Sequence, residues 1–281
     1  MRIVTMNAFW PGYANIAGWA EEHGHEIVLV VTPPAGAGDR YDAAAKPFLL
    51  ELPRTADVLV TGKLRTVAAA AIAALEPDLV ISAAFPRLIP AEILKIPVYG
   101  AVNLHPSPLP AGRGPNPVRL VYEGATTVGA TLHRTEAEFD TGAILSQRER
   151  PLPADLAGPA IFQAWREMLR EVLVEGAARA FAGEQGSPQD PALASEAPMF
   201  TPEEQVLRLT DPGAVLVRKS AALNVLEAKT RVIVAGIKQP IRLVELVSAG
   251  ERTPQPGEVV GYHTDGWTVR SGDGVVRLYR S

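Results

Sequence analysis

Residues 78–105 read Asp78-Leu79-Val80-Ile81-Ser82-Ala83-Ala84-Phe85-Pro86-Arg87-Leu88-Ile89-Pro90-Ala91-Glu92-Ile93-Leu94-Lys95-Ile96-Pro97-Val98-Tyr99-Gly100-Ala101-Val102-Asn103-Leu104-His105. Two short apolar runs, Asp78 to Ser82 and Ala101 to Leu104, flank a short helix candidate at Ala91 to Leu94. The same alternation runs back to the start. Arg2 to Thr5, Glu26 to Val31 and Val58 to Val60 are strand candidates, while Ile16 to His23 and the alanine-rich Thr66 to Leu75 read as helices. Repeated strand–helix alternation predicts an α/β fold with a largely parallel sheet and helices on both faces.

In such a sheet, ligands bind beyond the carboxyl ends of the strands. Two segments lie there: Ala83 to Pro90, and His105 to Pro117. The first strand is followed by Met6-Asn7-Ala8-Phe9-Trp10-Pro11-Gly12, which has neither glycine-rich phosphate-loop pattern, so dinucleotide binding is not expected. Further on, residues 159–181 predict a long core-packing helix, and 183–200 are rich in Gly, Pro, Ser and Ala and read as a linker. Beyond them come a helix candidate, Ala214 to Leu223, and five short strand candidates between Arg231 and Tyr279. These predict a small β domain. The expected division is 1–182, a linker at 183–200, and 201–281.

Composition narrows the chemistry. With 47% hydrophobic and 21% charged residues, the 281-residue chain has ample material for a core. The absence of cysteine removes disulfides, thiolate metal sites and cysteine nucleophiles together. Twenty-seven Lys and Arg against 31 Asp and Glu give a net charge of −4, without the basic excess that binding by phosphate neutralisation favours. No leader pattern or membrane-length apolar run is present, so a cytoplasmic protein with no membrane partner is expected.

The stretch Asn103-Leu104-His105-Pro106-Ser107-Pro108-Leu109-Pro110-Ala111-Gly112-Arg113-Gly114-Pro115-Asn116-Pro117 carries the chemistry. Asn103 and His105 are two apart at a strand end and project from one face. The five prolines that follow stiffen the loop, and a stiff scaffold suits groups whose misplacement is costly. Later comes an acidic turn, Glu136-Ala137-Glu138-Phe139-Asp140-Thr141-Gly142. Each piece has a plain reading: a structural histidine, an asparagine that caps a turn, and a common turn sequence. Together they supply an amide donor, a titratable imidazole and a carboxylate to orient it, an acid/base set with an oxyanion donor. Ser107, the one hydroxyl nucleophile nearby, lies between prolines rather than on a strained elbow, which argues against covalent catalysis.

The pattern Asn-x-His-x-Ser-x-Leu-Pro-x-x-x-Gly-x-x-Pro followed by Asp-Thr-Gly resembles the 10-formyltetrahydrofolate-dependent formyltransferase family. That family includes methionyl-tRNA formyltransferase and the sugar-nucleotide formyltransferases. Met1-Arg2-Ile3-Val4, His23-Gly24-His25-Glu26, and Pro77-Asp78-Leu79-Val80-Ile81 followed by Leu88-Ile89-Pro90 also fall where the family has them. The segment with Pro256-Gly257-Glu258-Val259 and Asp273-Gly274 looks like the OB-like domain of methionyl-tRNA formyltransferase. The resemblance implies a Rossmann-like catalytic domain with a smaller OB-like domain. The implied reaction is formyl transfer from 10-formyltetrahydrofolate, as co-substrate and without a metal, to a primary amine. Its catalytic positions map onto Asn103 and protonated His105, which would stabilise the oxyanion, and Asp140, which would hold the imidazole and raise its pKa.

By similarity, the pterin would lie between Phe85-Pro86-Arg87-Leu88-Ile89 and the Asp140 turn, with Leu88, Ile89 and Leu94 as the apolar wall. Ser107 would serve the geometry of the loop, and Asn116 could contribute to an acceptor pocket. The acceptor would be methionyl-tRNA or a small amine, such as an amino sugar nucleotide. The region after the second strand, residues 33–46, carries two basic and two acidic side chains instead of the basic insertion typical of the tRNA enzymes. Other readings on the same scaffold are a hydroxymethyl transferase and a folate-binding protein without turnover.

Overall fold

The apolar runs of the amino-terminal half lie side by side because each has two faces to bury. The computed structural model describes residues 1–34, 48–250 and 255–281. Its strands β1 (Arg2–Asn7), β2 (Glu26–Thr32), β3 (Val58–Val60), β4 (Leu79–Ala83), β5 (Ala101–His105), β6 (Thr127–Arg134) and β7 (Ile144–Pro151) form a seven-stranded sheet. The order is β3-β2-β1-β4-β5-β6-β7. Neighbours from β3 to β5 pair in parallel, and β6 runs antiparallel to β5. The fold is therefore α/β, as expected, but with a mixed sheet. Strand β4 is buried at every position, because it lies at the centre of the order.

Helix α1 (Trp10–Glu22) follows β1, with Pro11 in its first turn, where a missing N–H costs nothing. A π-helical turn (Leu64–Ala68) leads into α2 (Ala69–Ala74), and α3 (Ala91–Leu94) joins β4 to β5. Val4, Met6, Val31, Leu64, Ile72, Val80, Ile89 and Ile93 share one apolar core cluster of this sheet. Helix α4 (Arg119–Glu123) precedes β6, and α5 (Gly158–Phe181) follows β7.

The chain divides into two compact units. The first holds residues 1–115, 129–149 and 166–196; the second holds 116–128, 150–165 and 197–281. Residues 183–196, read from sequence as part of a linker, group with the first unit and are hydrogen-bonded to it. Ser187 exchanges two backbone bonds with Ile144, and Ser195 with Pro110 and Arg113.

In the second unit, β8 (Val206–Leu207), α6 (Gly213–Leu223), β9 (Arg231–Val234), β10 (Ile237–Ala249), β11 (Val259–His263), β12 (Gly266–Arg270) and β13 (Gly274–Arg280) follow in sequence. They build a six-stranded sheet, β11-β12-β13-β10-β9-β8. Leu216 and Leu223 of α6 pack with Val232, Ile241, Val244, Val276 and Leu278. Asn224 closes α6: its Nδ2 donates to the carbonyls of Ile241 and Arg242, and its Oδ1 accepts from the Thr230 N–H. Arg119 is buried, binds the partly exposed Glu204 across two bonds of 2.9 Å and lies 4.8 Å over the Phe200 ring. Among the described residues, no helix is long and apolar enough to cross a membrane.

Candidate active site

Register places the polar residues. Ser82 on β4, Asn103 on β5 and His133 on β6 are partners across three adjacent strands, so their side chains form one row. The row lies at the carboxyl end of β5, where the chain leaves into the proline-rich loop. Ser82 Oγ donates to Asn103 Oδ1 at 2.8 Å and fixes the orientation of the amide. The two hydrogens of Asn103 Nδ2 then have two acceptors, Asp140 Oδ1 at 3.2 Å and His133 Nε2 at 3.1 Å.

The tautomers follow from the carbonyls the rings face. His105 Nε2 lies 2.9 Å from the Gly112 carbonyl, which can only accept, so Nε2 carries a proton and Nδ1 faces Asp140 Oδ1 at 3.6 Å. His133 Nδ1 donates to the Arg134 carbonyl at 2.7 Å, and its Nε2 points back to Asn103 and lies 3.6 Å from Asp140 Oδ1. Asp140 Oδ2 accepts from the Gly114 N–H at 2.8 Å. Two ring nitrogens and one amide therefore surround a single carboxylate oxygen, with Asp140, His105 and His133 all buried.

Electrostatics follow from this crowding. Burial works to raise the Asp140 pKa, but His105, His133 and the Gly114 N–H together outweigh it and hold the carboxyl well below the usual range. Burial lowers the His105 pKa, and Asp140 and the Gly112 carbonyl restore only part of the loss. Desolvation thus works against the charged ring, while Asp140 works for it. A proton arriving on Nδ1 would meet a carboxylate and form an imidazolium with acceptors at both nitrogens.

The backbone is built for closeness. Asp140 has φ +57°, a left-handed conformation that L side chains adopt only when their surroundings hold them there. Two residues on, a Cβ at Gly142 would come within 1.9 Å of the Arg134 carbonyl oxygen, so only glycine lets the turn close against the end of β6. On β6, a Cβ at Gly129 would lie 2.7–2.8 Å from Pro108, where the catalytic loop crosses the strand.

The sequence of residues 9–176 matches the formyl transferase family. The methionyl-tRNA formyltransferase of Pseudomonas paraeruginosa is 33% identical over 265 residues, spanning 91% of this chain and 83% of that protein. The chain belongs to the formyl transferase family. Solved structures share the fold. HypX from Aquifex aeolicus, in complex with tetrahydrofolic acid, has a TM-score of 0.72 at 21% identity over 99% of this chain, which spans only 43% of HypX. The N-formyltransferase from Helicobacter canadensis, in complex with folinic acid and dTDP-3-aminofucose, has a TM-score of 0.66 at 12% identity, over 99% of this chain and 98% of that one.

Within this formyltransferase, Asn103, His105 and Asp140 come together as the sequence suggested, and His133 joins them unannounced. A period-2 reading of Thr131-Leu132-His133 beside Asn103 would have found it, had β6 been recognised as a strand. Ser107 is buried; its carbonyl accepts from Thr131 Oγ1 at 2.7 Å, and its hydroxyl has no hydrogen-bond partner among the described residues. Asn116 belongs to the second unit and donates from Nδ2 to the Pro198 carbonyl at 3.2 Å. Of the expected pterin wall, Ile89 is buried in the core of the first sheet, Phe85 and Leu94 pack against that core, and Leu88 is exposed. Arg87 reaches the Gly62 carbonyl at 3.5 Å. The charge-neutral segment after β2 falls, for residues 35–47, outside the described residues.

Proposed function

We propose that this chain transfers the formyl group of 10-formyltetrahydrofolate to a primary amine by direct attack, with no covalent enzyme intermediate. The convergence of Asn103, His105 and His133 on Asp140 Oδ1 supports the reading best. As the amine adds to the formyl carbon, the nitrogen becomes acidic and the carbonyl oxygen becomes anionic. Neutral His105, flanked by Asp140 and the Gly112 carbonyl, takes the amine proton and returns it to the departing folate nitrogen. Asn103 turns one N–H from His133 to the oxyanion, a contact worth about 3–4 kcal/mol when well aimed. His133 holds that N–H until then.

The loop 85–89 receives the pterin: its backbone reads the pterin edge, Leu88 covers the ring, and Ile89 and Leu94 brace the loop from the core. Residues 1–182 serve as the catalytic domain and 201–281 as an OB-like domain, and the enzyme works in the cytoplasm. For the acceptor, methionyl-tRNA is favoured by the 33% identity to a methionyl-tRNA formyltransferase across 91% of the chain. A small amine, such as an amino sugar nucleotide, is the second reading, favoured by the net charge of −4 and the uncharged balance of residues 33–46. Mass spectrometry of candidate acceptors after incubation with enzyme and donor decides between them. A formyl adduct on methionyl-tRNA alone supports the first, an adduct on a small amine alone supports the second, and no adduct with a folate-bound enzyme rejects both.

A further inference from the structure

We propose that Gln189 is a positioning residue that fixes the Asp140 carboxylate for catalysis, as part of a strap formed by residues 187–196; the catalytic part of this inference rests on the formyl-transfer reading. Asn103 and the Gly114 N–H hold the Asp140 carboxylate, while its backbone sits in a left-handed turn. Gln189 binds that backbone from outside the turn. Its Nε2 donates to two carbonyls of the turn, Asp140 O and Gly142 O, each at 2.8 Å, and so uses both amide hydrogens on the residues that set the direction of the carboxylate. Its Oε1 accepts from Arg113 Nε at 3.2 Å and Nη2 at 2.7 Å. Arg113 sits between Gly112, whose carbonyl accepts a hydrogen bond from His105 Nε2, and Gly114, whose N–H donates to Asp140 Oδ2.

One amide side chain therefore ties the loop that orients His105 to the turn that carries Asp140. The rest of the strap keeps it in place. Ser195 Oγ accepts from the Gly112 N–H at 3.0 Å, the Arg113 N–H donates to the Ser195 carbonyl at 2.9 Å, and Ser187 pairs with Ile144 at the other end. A glycine-, proline- and serine-rich stretch that looks like a passive connection in the sequence is thus wired to both halves of the acid/base pair. Gln189 acts through Asp140, and its donor pair is the part that matters.

The test uses Gln189→Met, which keeps the length and loses every hydrogen bond, and Gln189→Glu, which keeps an acceptor for Arg113 and loses both donors. His105 is titrated by NMR in each folded variant, and kcat and the donor KM are measured separately. When Asp140 is released, the imidazole loses its carboxylate. The His105 midpoint should fall by about half a pH unit or more in both variants. Turnover should drop by about tenfold or more while the donor KM changes by less than about threefold. An unmoved His105 midpoint in either folded variant overturns the proposal whatever the turnover does, and so does an unchanged kcat. If the wild-type enzyme forms no formyl adduct, the formyl-transfer reading fails, while the titration still decides whether Gln189 holds Asp140.

Discussion

At the scale of residues, the site is a buried carboxylate with three side-chain nitrogens and one backbone N–H around it, and its members are not interchangeable. In the proposed mechanism His105→Ala removes the proton carrier and Asp140→Ala its counter-charge. Each should lower kcat by about 10²–10⁴-fold, with thermal unfolding showing a folded protein. Near-normal turnover in either would remove the acid/base assignment. His133→Phe is a gentler probe, because an aromatic ring remains and only the polar contacts to Asn103, Arg134 and Asp140 are lost; kcat should fall by about tenfold with little change in donor affinity. The pH dependence of stability has a fixed sign. Both the Asp140 and His105 pKa values are lowered by folding, so the unfolded chain binds more protons at low pH. The stability these two groups contribute is complete above about pH 6.5 and is lost as the pH falls, first through the range of an unfolded histidine and then through that of an unfolded carboxylate. Denaturant unfolding at stepped pH should show a shallower loss for Asp140→Asn than for wild type below about pH 4, through the carboxylate range; an identical or steeper loss there would contradict the assigned direction.

At the scale of elements, Gly129 and Gly142 decide whether β6, the catalytic loop and the acidic turn can approach one another. Gly129→Val pushes a branched side chain into Pro108, and no flexible tip is available to yield. We expect a stability loss of about 1–3 kcal/mol, measured by denaturant unfolding, together with a fall in kcat. Wild-type stability would show that the loop can slide. The same elements explain what the sequence disclosed. The short apolar runs marked β1, β2, β4 and β5 closely, since a strand buried on both faces has little choice of residue, and Val58 to Val60 marked the more exposed edge strand β3. Asn103 and His105 were legible because two polar residues interrupt such a run at its carboxyl end. Strand β6, Thr127-Val128-Gly129-Ala130-Thr131-Leu132-His133-Arg134, stayed hidden because its buried face includes two threonines, a glycine and a histidine in place of branched aliphatics. His133 was lost with it. The strap was misread for a related reason: it is held by backbone and Gln189 bonds, which leave no apolar period to detect.

At the scale of the whole molecule, two compact units share one chain that passes between them more than once, so the second unit is not a simple carboxy-terminal appendage. Its stability rests partly on Arg119, which enters from residues 116–128 and binds Glu204, Glu123 and the carbonyls of Pro198 and Met199. Arg119→Met removes the charged partner of the partly exposed Glu204 and should cost about 1–3 kcal/mol, seen in calorimetry as an earlier transition; an unshifted transition would make the pair a bystander. The central claim, that the chain moves a formyl group from folate to an amine through the Asp140 cluster, is tested most directly by one measurement. Tetrahydrofolate release from 10-formyltetrahydrofolate is followed with and without acceptor amine, in wild type and His105→Ala. The account requires release that depends on the amine, matches formyl adduct one for one, and nearly vanishes in the variant. Release without adduct, or equal release by the variant, would contradict it.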